Sequence, residues 1–155
     1  MSQVDVRLQE LGITLCEPPD PAGAYVPVVT AGYLTFLSGM LPLQGGQLCC
    51  KGRLGDSVSL DMGRDAARLC MVNGLAALKG ALGDLDRIER IVRLEGFVNS
   101  TPEFHEQHLV MNEASEFLNE VFGDKGRHTR FAVGATSLPL DAPVEISMVV
   151  KTGDT

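Results

Sequence analysis

The chain has 155 residues, of which 45% are apolar and 21% charged, and a formal net charge of −7 at pH 7. This balance is typical of a globular protein with an apolar core and excludes a chain that is disordered throughout. No apolar run approaches the roughly 18 residues that a membrane-spanning helix requires. The first residues lack the basic and then apolar segments of a secretory signal. We therefore expect a cytoplasmic protein without a membrane partner.

The acidic charge also argues against a nucleic-acid partner. The chain has 20 Asp and Glu against 13 Lys and Arg, so its surface repels phosphate backbones unless a local basic patch overrides the net charge. Its central arginines are interleaved with acids or apolar residues, and aromatic residues make up only 5% of the chain. Few platforms for base stacking are therefore available.

The predicted elements alternate between helices and strands along the whole chain. Val4, Leu8 and Leu11 fall on one helical face and predict a short N-terminal helix that ends at Gly12. The other predicted elements are a two-stranded hairpin that turns at Ala31-Gly32, a mostly irregular stretch over 39–55, a helix between Ser59 and Gly83, a strand over 88–98, a helix from 100–103 to Gly123, and strands over 129–135 and 144–150.

This order, ββ-α-β-α-ββ, predicts an α+β fold in which two helices pack on one face of a mixed sheet. We expect a single domain over 1–155, with a helix and an extended segment at 1–21 and the core at 22–151. Since no segment remains to cover the other face of the sheet, the sequence predicts self-association.

Arg130 is a candidate ligand-binding residue because it interrupts an apolar strand. Alternation places Arg130, Ala132 and Gly134 on one face of that strand. These small neighbours leave space beside the guanidinium, whose planar fork matches a carboxylate with two hydrogen bonds. The alternative is an ordinary strand-end arginine that pairs with a surface acid.

Glu145 raises the same question in the last predicted strand, where an acid must be solvated, paired or functional. Facing a pocket, it could polarise a water or pair with Arg130; the alternative is a structural ion pair. His105 and His108 lack the third ligand of a metal site, and no phosphate-binding glycine loop is present. We expect no metal and no cofactor.

Several short motifs follow one another along the chain: Gly23-Ala24-Tyr25, Ser38-Gly39 with Pro42, Arg130, and Leu138-Pro139 with Val144-Glu145-Ile146. In order and spacing this series resembles the signature of the YjgF-like reactive intermediate deaminase (Rid) family, which is also labelled the endoribonuclease L-PSP family. The resemblance extends from about residue 22 to residue 151.

The resemblance implies a chorismate-mutase-like fold of the bacillus type and a homotrimer with ligand sites in the clefts between subunits. It implies two catalytic residues, Arg130 as the clamp for the substrate carboxylate and Glu145 as the group that orients the attacking water. The residues implied to bind the substrate are Tyr25, Ser38, Gly39, Asn112 and Ala132.

Three positions depart from the family's pattern. Ala24 stands where the family has proline, Met40 where glutamine is frequent, and Ala132 where cysteine is frequent. The N-terminal helix is an addition, and the segment that leads to Asn112 is about one helical turn longer. These departures indicate a divergent branch that retains the carboxylate clamp and lacks the thiol.

The resemblance predicts an enzyme similar to 2-iminobutanoate/2-iminopropanoate deaminase. Such an enzyme hydrolyses 2-imino acids or their enamine tautomers to 2-keto acids and ammonia. The alternative is a non-catalytic trimer that binds keto acids in the same clefts, with Glu145 in a structural role. A third hypothesis, endoribonuclease or translation-inhibitor activity, is disfavoured by the net charge of −7.

Overall fold

The computed structural model describes residues 1–18 and 20–153. Two long helices cover one face of a five-stranded mixed sheet, which confirms the predicted α+β class. The helices are α1 (Gln3–Glu10), α2 (Leu60–Leu82) and α3 (Gln107–Phe122), and the strands are β1 (Val28–Ala31), β2 (Leu34–Met40), β3 (Leu43–Gln44), β4 (Gln47–Leu48), β5 (Ile88–Asn99), β6 (Thr129–Ala135) and β7 (Val144–Thr152).

The strand order in the large sheet is β1-β2-β7-β5-β6. The last two strands run parallel, whereas the other pairs are antiparallel. Parallel neighbours need a crossover connection, and α3 supplies it between β5 and β6. As a result β6 is an edge strand beside α3, and β7 lies in the centre of the sheet.

The boundaries of α2 agree with the prediction. The Ser59 hydroxyl accepts a hydrogen bond from the Met62 amide at 3.2 Å, and Gly83 ends the helix with a φ of 80°. Within the helix, Gly74 allows close contact with the sheet, because a Cβ there would lie 2.8 Å from a methyl carbon of Leu37. The core between α2 and the sheet depends on this approach.

The predicted start of the second long helix is wrong by several residues. The Ser100 amide bonds to the Ala135 carbonyl at 3.1 Å, and the Thr101 amide bonds to the Leu54 carbonyl at 3.0 Å. The Ser100 hydroxyl donates to the Val98 carbonyl at 3.0 Å instead of capping a helix. Since these bonds tie the segment to the end of the sheet, the extra length before α3 is a turn.

The face of the sheet opposite the helices is apolar and exposed. Phe36 and Val133 expose 43% and 42% of their surface, which agrees with the expectation that this face lacks cover within the chain. We call this surface the open face; its exposed apolar residues are Val29, Leu34, Phe36, Phe97 and Val133. Among the described residues, none of the helices is long and apolar enough to cross a membrane.

The predicted N-terminal helix is present and is held by a distant aspartate. The Asp86 carboxylate accepts hydrogen bonds from the Gln3 and Val4 amides at 2.8 and 2.9 Å. The acid therefore satisfies two amides that a helix leaves unpaired at its N-terminus. Val4 and Leu8 are buried against the core, so α1 is an integral part of the outer layer.

Replacing Asp86 with alanine should loosen α1, because both amides lose their acceptor. We expect a loss of about 1 kcal/mol in unfolding free energy and faster hydrogen exchange confined to residues of α1. Exchange mass spectrometry measures both the extent and the place of the change. Asp56→Ala, at an exposed position between β4 and α2, is the control. Unchanged exchange in α1 of the Asp86 variant would show that the cap does not hold the helix.

Candidate functional site

The seven residues implied to form the substrate site lie in two groups. The glutamate group, at the adjoining ends of β2 and β7, consists of Tyr25, Ser38, Gly39 and Glu145. The arginine group, between β6 and α3, consists of Asn112, Arg130 and Ala132.

A bulge in β2 shapes the glutamate group. Leu37 pairs with Met148 and Met40 pairs with Ile146, so Ser38 and Gly39 together oppose a single residue of β7. The Glu145 carboxyl lies directly on the backbone of Gly39, where a Cβ would be only 3.0 Å from its Cδ atom. Glycine is therefore required at position 39 for this placement of the carboxylate.

Ser38 connects the bulge to the segment that carries Tyr25. Its hydroxyl donates to the Val26 carbonyl and its amide to the Pro27 carbonyl, both at 2.8 Å. Tyr25 precedes these carbonyls and exposes 49% of its surface. The segment that follows Tyr25 is thus tied to the bulge, and the Tyr25 side chain itself is half-exposed.

Partial burial raises the pKa of the Glu145 carboxyl above its usual value, because removal from water disfavours the charged form. Its neighbours in the strand, Val144 and Ile146, are fully buried under the helices. The side chain of Glu145 therefore points to the opposite side of the sheet, toward the open face. A carboxylate with a raised pKa is a better proton acceptor than an ordinary surface glutamate.

The arginine group is organised by hydrogen bonds from the strand to the helix. Arg130 donates through Nη1 to the Ser115 hydroxyl at 3.0 Å and through Nη2 to the His108 carbonyl at 3.3 Å. Both partners are neutral groups of α3, so the interpretation of Arg130 as a strand-end arginine paired with a surface acid is wrong. Partial burial lowers the pKa of Arg130, although a guanidinium remains cationic at any physiological pH.

Asn112 and Ala132 occupy neighbouring positions on the two elements that hold Arg130. Asn112 follows His108 by four residues and precedes Ser115 by three, which places all three on one side of α3. Ala132 follows Arg130 by two residues and packs partly buried under the helix. The predicted alternation in β6 is confirmed, since Gly134 also faces this side, toward the Ser100 hydroxyl.

The groove between β6 and α3 has a hollow at each end. The hollow beside Arg130 has a volume of about 260 Å³ and is lined by Ser115, Asn119, Arg127, His128 and Arg130. The hollow at the far end has a volume of about 290 Å³, and its lining includes Gln107, Gly134 and Thr136. Either volume is large enough for a small carboxylic acid.

Ser115 and His128 also line the hollow beside Arg130, although the sequence analysis did not single them out. His128 Nε2 lies 2.8 Å from the Ser115 hydroxyl oxygen, and His128 Nδ1 bonds to the Gly126 carbonyl. Spacing contained the signal, because Ser115 is one turn after Asn112 on α3 and His128 precedes Arg130 by two residues. The two positions therefore face the same groove as the implied site.

The guanidinium of Arg130 and the carboxylate of Glu145 lie on opposite faces of the sheet. Arg130 is in register with Leu94, which is buried beneath the helices, whereas Glu145 is in register with Phe97 on the open face. Strand β5 also separates their two strands. The hypothesis that these two residues pair within one chain is wrong, and one small ligand cannot contact both in the same chain.

The hydrogen bonds of His128 predict how stability depends on pH. Burial, followed by the charge of Arg130, lowers its pKa below the ordinary 6.5, against the raising effect of the Gly126 carbonyl. The unfolded chain therefore binds this proton more readily, and stability must fall as the pH drops below about 6.5. Urea unfolding at pH 7.5, 6.5 and 5.5 should show a slope of at most about 1.4 kcal/mol per pH unit. In the His128→Gln variant the unfolding free energy should depend less steeply on pH. An equal slope in that variant would show that His128 is not the group responsible.

Comparison with known proteins gives consistent matches over almost the whole chain. A family model described as "YjgF/chorismate mutase-like, putative endoribonuclease" matches residues 5–151. Protein TCP17 of Trypanosoma cruzi is 43% identical over 150 residues, which cover 96% of this chain and 94% of that protein.

Two solved structures are also similar. Atu1372 from Agrobacterium tumefaciens, a protein of unknown function, is 45% identical with a TM-score of 0.91, over 97% of this chain and 93% of that chain. A putative endoribonuclease from Shewanella oneidensis MR-1 is 33% identical with a TM-score of 0.93, over 97% of this chain and 99% of that chain. The chain therefore belongs to the YjgF/chorismate mutase-like family, as its motifs predict.

Proposed function

We propose that the protein hydrolyses 2-imino acids, or their enamine tautomers, to 2-keto acids and ammonia. The observation that carries this proposal is the state of Arg130, a partly buried cation whose hydrogen bonds go to a hydroxyl and a backbone carbonyl. Neither partner neutralises the charge. A carboxylate ligand would do so with two parallel hydrogen bonds, and this favours a small carboxylic acid as the substrate.

The site that we propose is shared between copies of the chain in a homotrimer. Because Arg130 and Glu145 lie on opposite faces of the sheet, a ligand that contacts both needs Arg130 from one copy and Glu145 from another. The exposed apolar residues of the open face support such an assembly, since burying them against a second copy removes them from water. Glu145 lies on that face, next to the surface that would be covered.

In this composite site the carboxylate of the substrate binds Arg130, and the imine carbon lies toward Glu145 of the next copy. Glu145 takes a proton from a water whose oxygen adds to the C=N carbon. That proton passes to the nitrogen, the C–N bond breaks and ammonia leaves, while the carbinol hydroxyl gives its own proton to Glu145 and its oxygen becomes the keto oxygen. A protonated imine is already electrophilic, so most of the rate acceleration comes from orientation of the reacting groups.

Single substitutions separate the roles of the two catalytic residues. Arg130→Ala should weaken binding of a 2-keto acid by about 100-fold, because a charged hydrogen-bond pair is lost. Glu145→Gln should keep most of that binding and lower turnover by at least about 100-fold, because the proton acceptor is lost. Turnover is measured as ammonia release from imino acids generated in situ by an amino acid oxidase, and binding by calorimetry.

Two controls match these variants. Arg90→Ala removes an exposed arginine of β5 that also donates to a backbone carbonyl, and Glu89→Gln removes an exposed acid that pairs with Lys151. Both should behave as the parent protein does. Keto-acid binding that needs Arg130, without turnover of any imine by the parent protein, would support a binding protein instead. Cleavage of RNA that persists at high salt would support the endoribonuclease hypothesis.

Mixing the two variants tests whether the site is shared between copies. Arg130→Ala and Glu145→Gln chains with different tags are co-expressed, and oligomers that carry both tags are purified. In every cyclic trimer that contains both kinds of chain, one site of the three combines an intact arginine with an intact glutamate, so activity should return to about a third of the parent value. Residues that act within one chain would give no recovery in the mixed oligomers.

A further inference from the structure

Ser115 and His128 form a hydrogen-bonded pair that imine hydrolysis does not use. The Ser115 hydroxyl oxygen is 2.8 Å from His128 Nε2 and accepts a hydrogen bond from Arg130 Nη1 at 3.0 Å. Both side chains line the hollow of about 260 Å³ at one end of the groove between β6 and α3. The hydroxyl therefore has a potential base on one side, a cation on the other and open space in front.

The hydrogen-bond network fixes the tautomer of His128. Its Nδ1 atom bonds to the Gly126 carbonyl, which can only accept, so Nδ1 carries the proton. Nε2 then presents a lone pair, and the Ser115 hydroxyl donates to it. Burial and the charge of Arg130 lower the pKa of His128, which keeps the imidazole in its neutral, basic form at neutral pH.

The lining of the hollow suits an anionic ligand. Two guanidinium groups, from Arg127 and Arg130, and the amide of Asn119 line it together with the serine and the histidine. Nη1 of Arg130 is already in contact with the nucleophilic oxygen. It is therefore close enough to donate to the oxyanion that forms when that oxygen adds to a carbonyl.

We propose that Ser115 is a nucleophile and His128 its general base in the hydrolysis of small esters that carry a carboxylate. The Ser115 oxygen adds to the ester carbonyl while its proton passes to Nε2 of His128. The C–O bond to the leaving alcohol breaks, the alcohol takes the proton from His128, and an acyl-serine remains. Water then attacks this ester, His128 takes its proton and returns it to the Ser115 oxygen, and the carboxylic acid is released.

This activity is independent of the proposed imine hydrolysis, because it needs neither Glu145 nor a second copy of the chain. Arg130 serves both reactions, so loss of activity in an Arg130 variant cannot separate them. A covalent adduct on Ser115 can, since a serine that only positions Arg130 would form none.

The first measurement is labelling of the full-length protein with a fluorophosphonate probe, followed by mass spectrometry of the peptide that contains Ser115. We expect one adduct per chain, on Ser115. His128→Gln should slow its formation by at least about 100-fold, because glutamine can bond to the hydroxyl but cannot accept its proton. His105→Gln, an exposed histidine outside the hollow, is the matched control and should label at the parent rate.

Ser38 is an internal control within the same protein, because its hydroxyl donates to a backbone carbonyl rather than to an imidazole. It should remain unmodified. Absence of an adduct on Ser115 in the folded protein, or an equal labelling rate in His128→Gln, would overturn the assignment.

The anionic preference is tested with two ester substrates of similar length, mono-(4-nitrophenyl) succinate and 4-nitrophenyl butyrate. The succinate ester should acylate Ser115 about 10-fold faster, because its free carboxylate binds the guanidinium groups. Arg127→Gln should reduce this ratio, because one of the two guanidinium groups is lost. Equal rates for the two esters in the parent protein would contradict the choice of substrate class.

Discussion

The parallel pairing of β5 with β6 is the constraint on which the arginine group depends. Parallel strands cannot be joined by a tight turn, so the chain must return along a crossover element, which here is α3. The returning helix lies against the inner side of the edge strand. The side chain of Arg130 therefore reaches His108 and Ser115 of that helix. The close packing of α3 against the sheet also requires small residues where the two touch. At Gly96, for example, a Cβ would lie 2.8 Å from Cγ of Met111.

The sheet also keeps the charges of Arg130 and Glu145 apart. Alternation along β6 and β7 sends Arg130 to the helical face and Glu145 to the open face, with β5 between their strands. In direct contact, a carboxylate and a guanidinium would neutralise each other, and a ligand would have to compete with that ion pair. Because the two are separated, the guanidinium bonds to neutral groups. Burial raises the pKa of the Glu145 carboxyl, with no nearby cation in the described part of the chain to oppose it.

Much of this arrangement could be predicted from sequence, and the exceptions have physical reasons. Ser59 and Gly83 bound α2 as predicted because capping is a local interaction. The start of α3 was missed because Ser100 and Thr101 bond to Ala135 and Leu54, which are distant in sequence. Spacing along α3 and β6 indicates that Ser115 and His128 face the groove, but their hydrogen bond to each other is visible only in the fold. Alternation correctly placed Arg130 and Ala132 on one face. Which face of the sheet Arg130 and Glu145 occupy is known only from strand pairing. Arg130 is in register with Leu94 on the helical face, and Glu145 with Phe97 on the open face.

One guanidinium can serve two reactions because carboxylate binding does not determine which electrophile is attacked. A protonated imine reacts with water once it is oriented, so its hydrolysis needs a proton acceptor such as Glu145 and no nucleophile from the protein. An ester is less electrophilic and requires an activated nucleophile; in our proposal this is Ser115, whose hydroxyl lies 2.8 Å from His128 within a single chain. In these two proposed reactions, the functional group next to the ligand's carboxylate, an imine or an ester, therefore decides which chemistry takes place at Arg130. Ester chemistry would survive dissociation into single chains, whereas imine chemistry at a shared site would not.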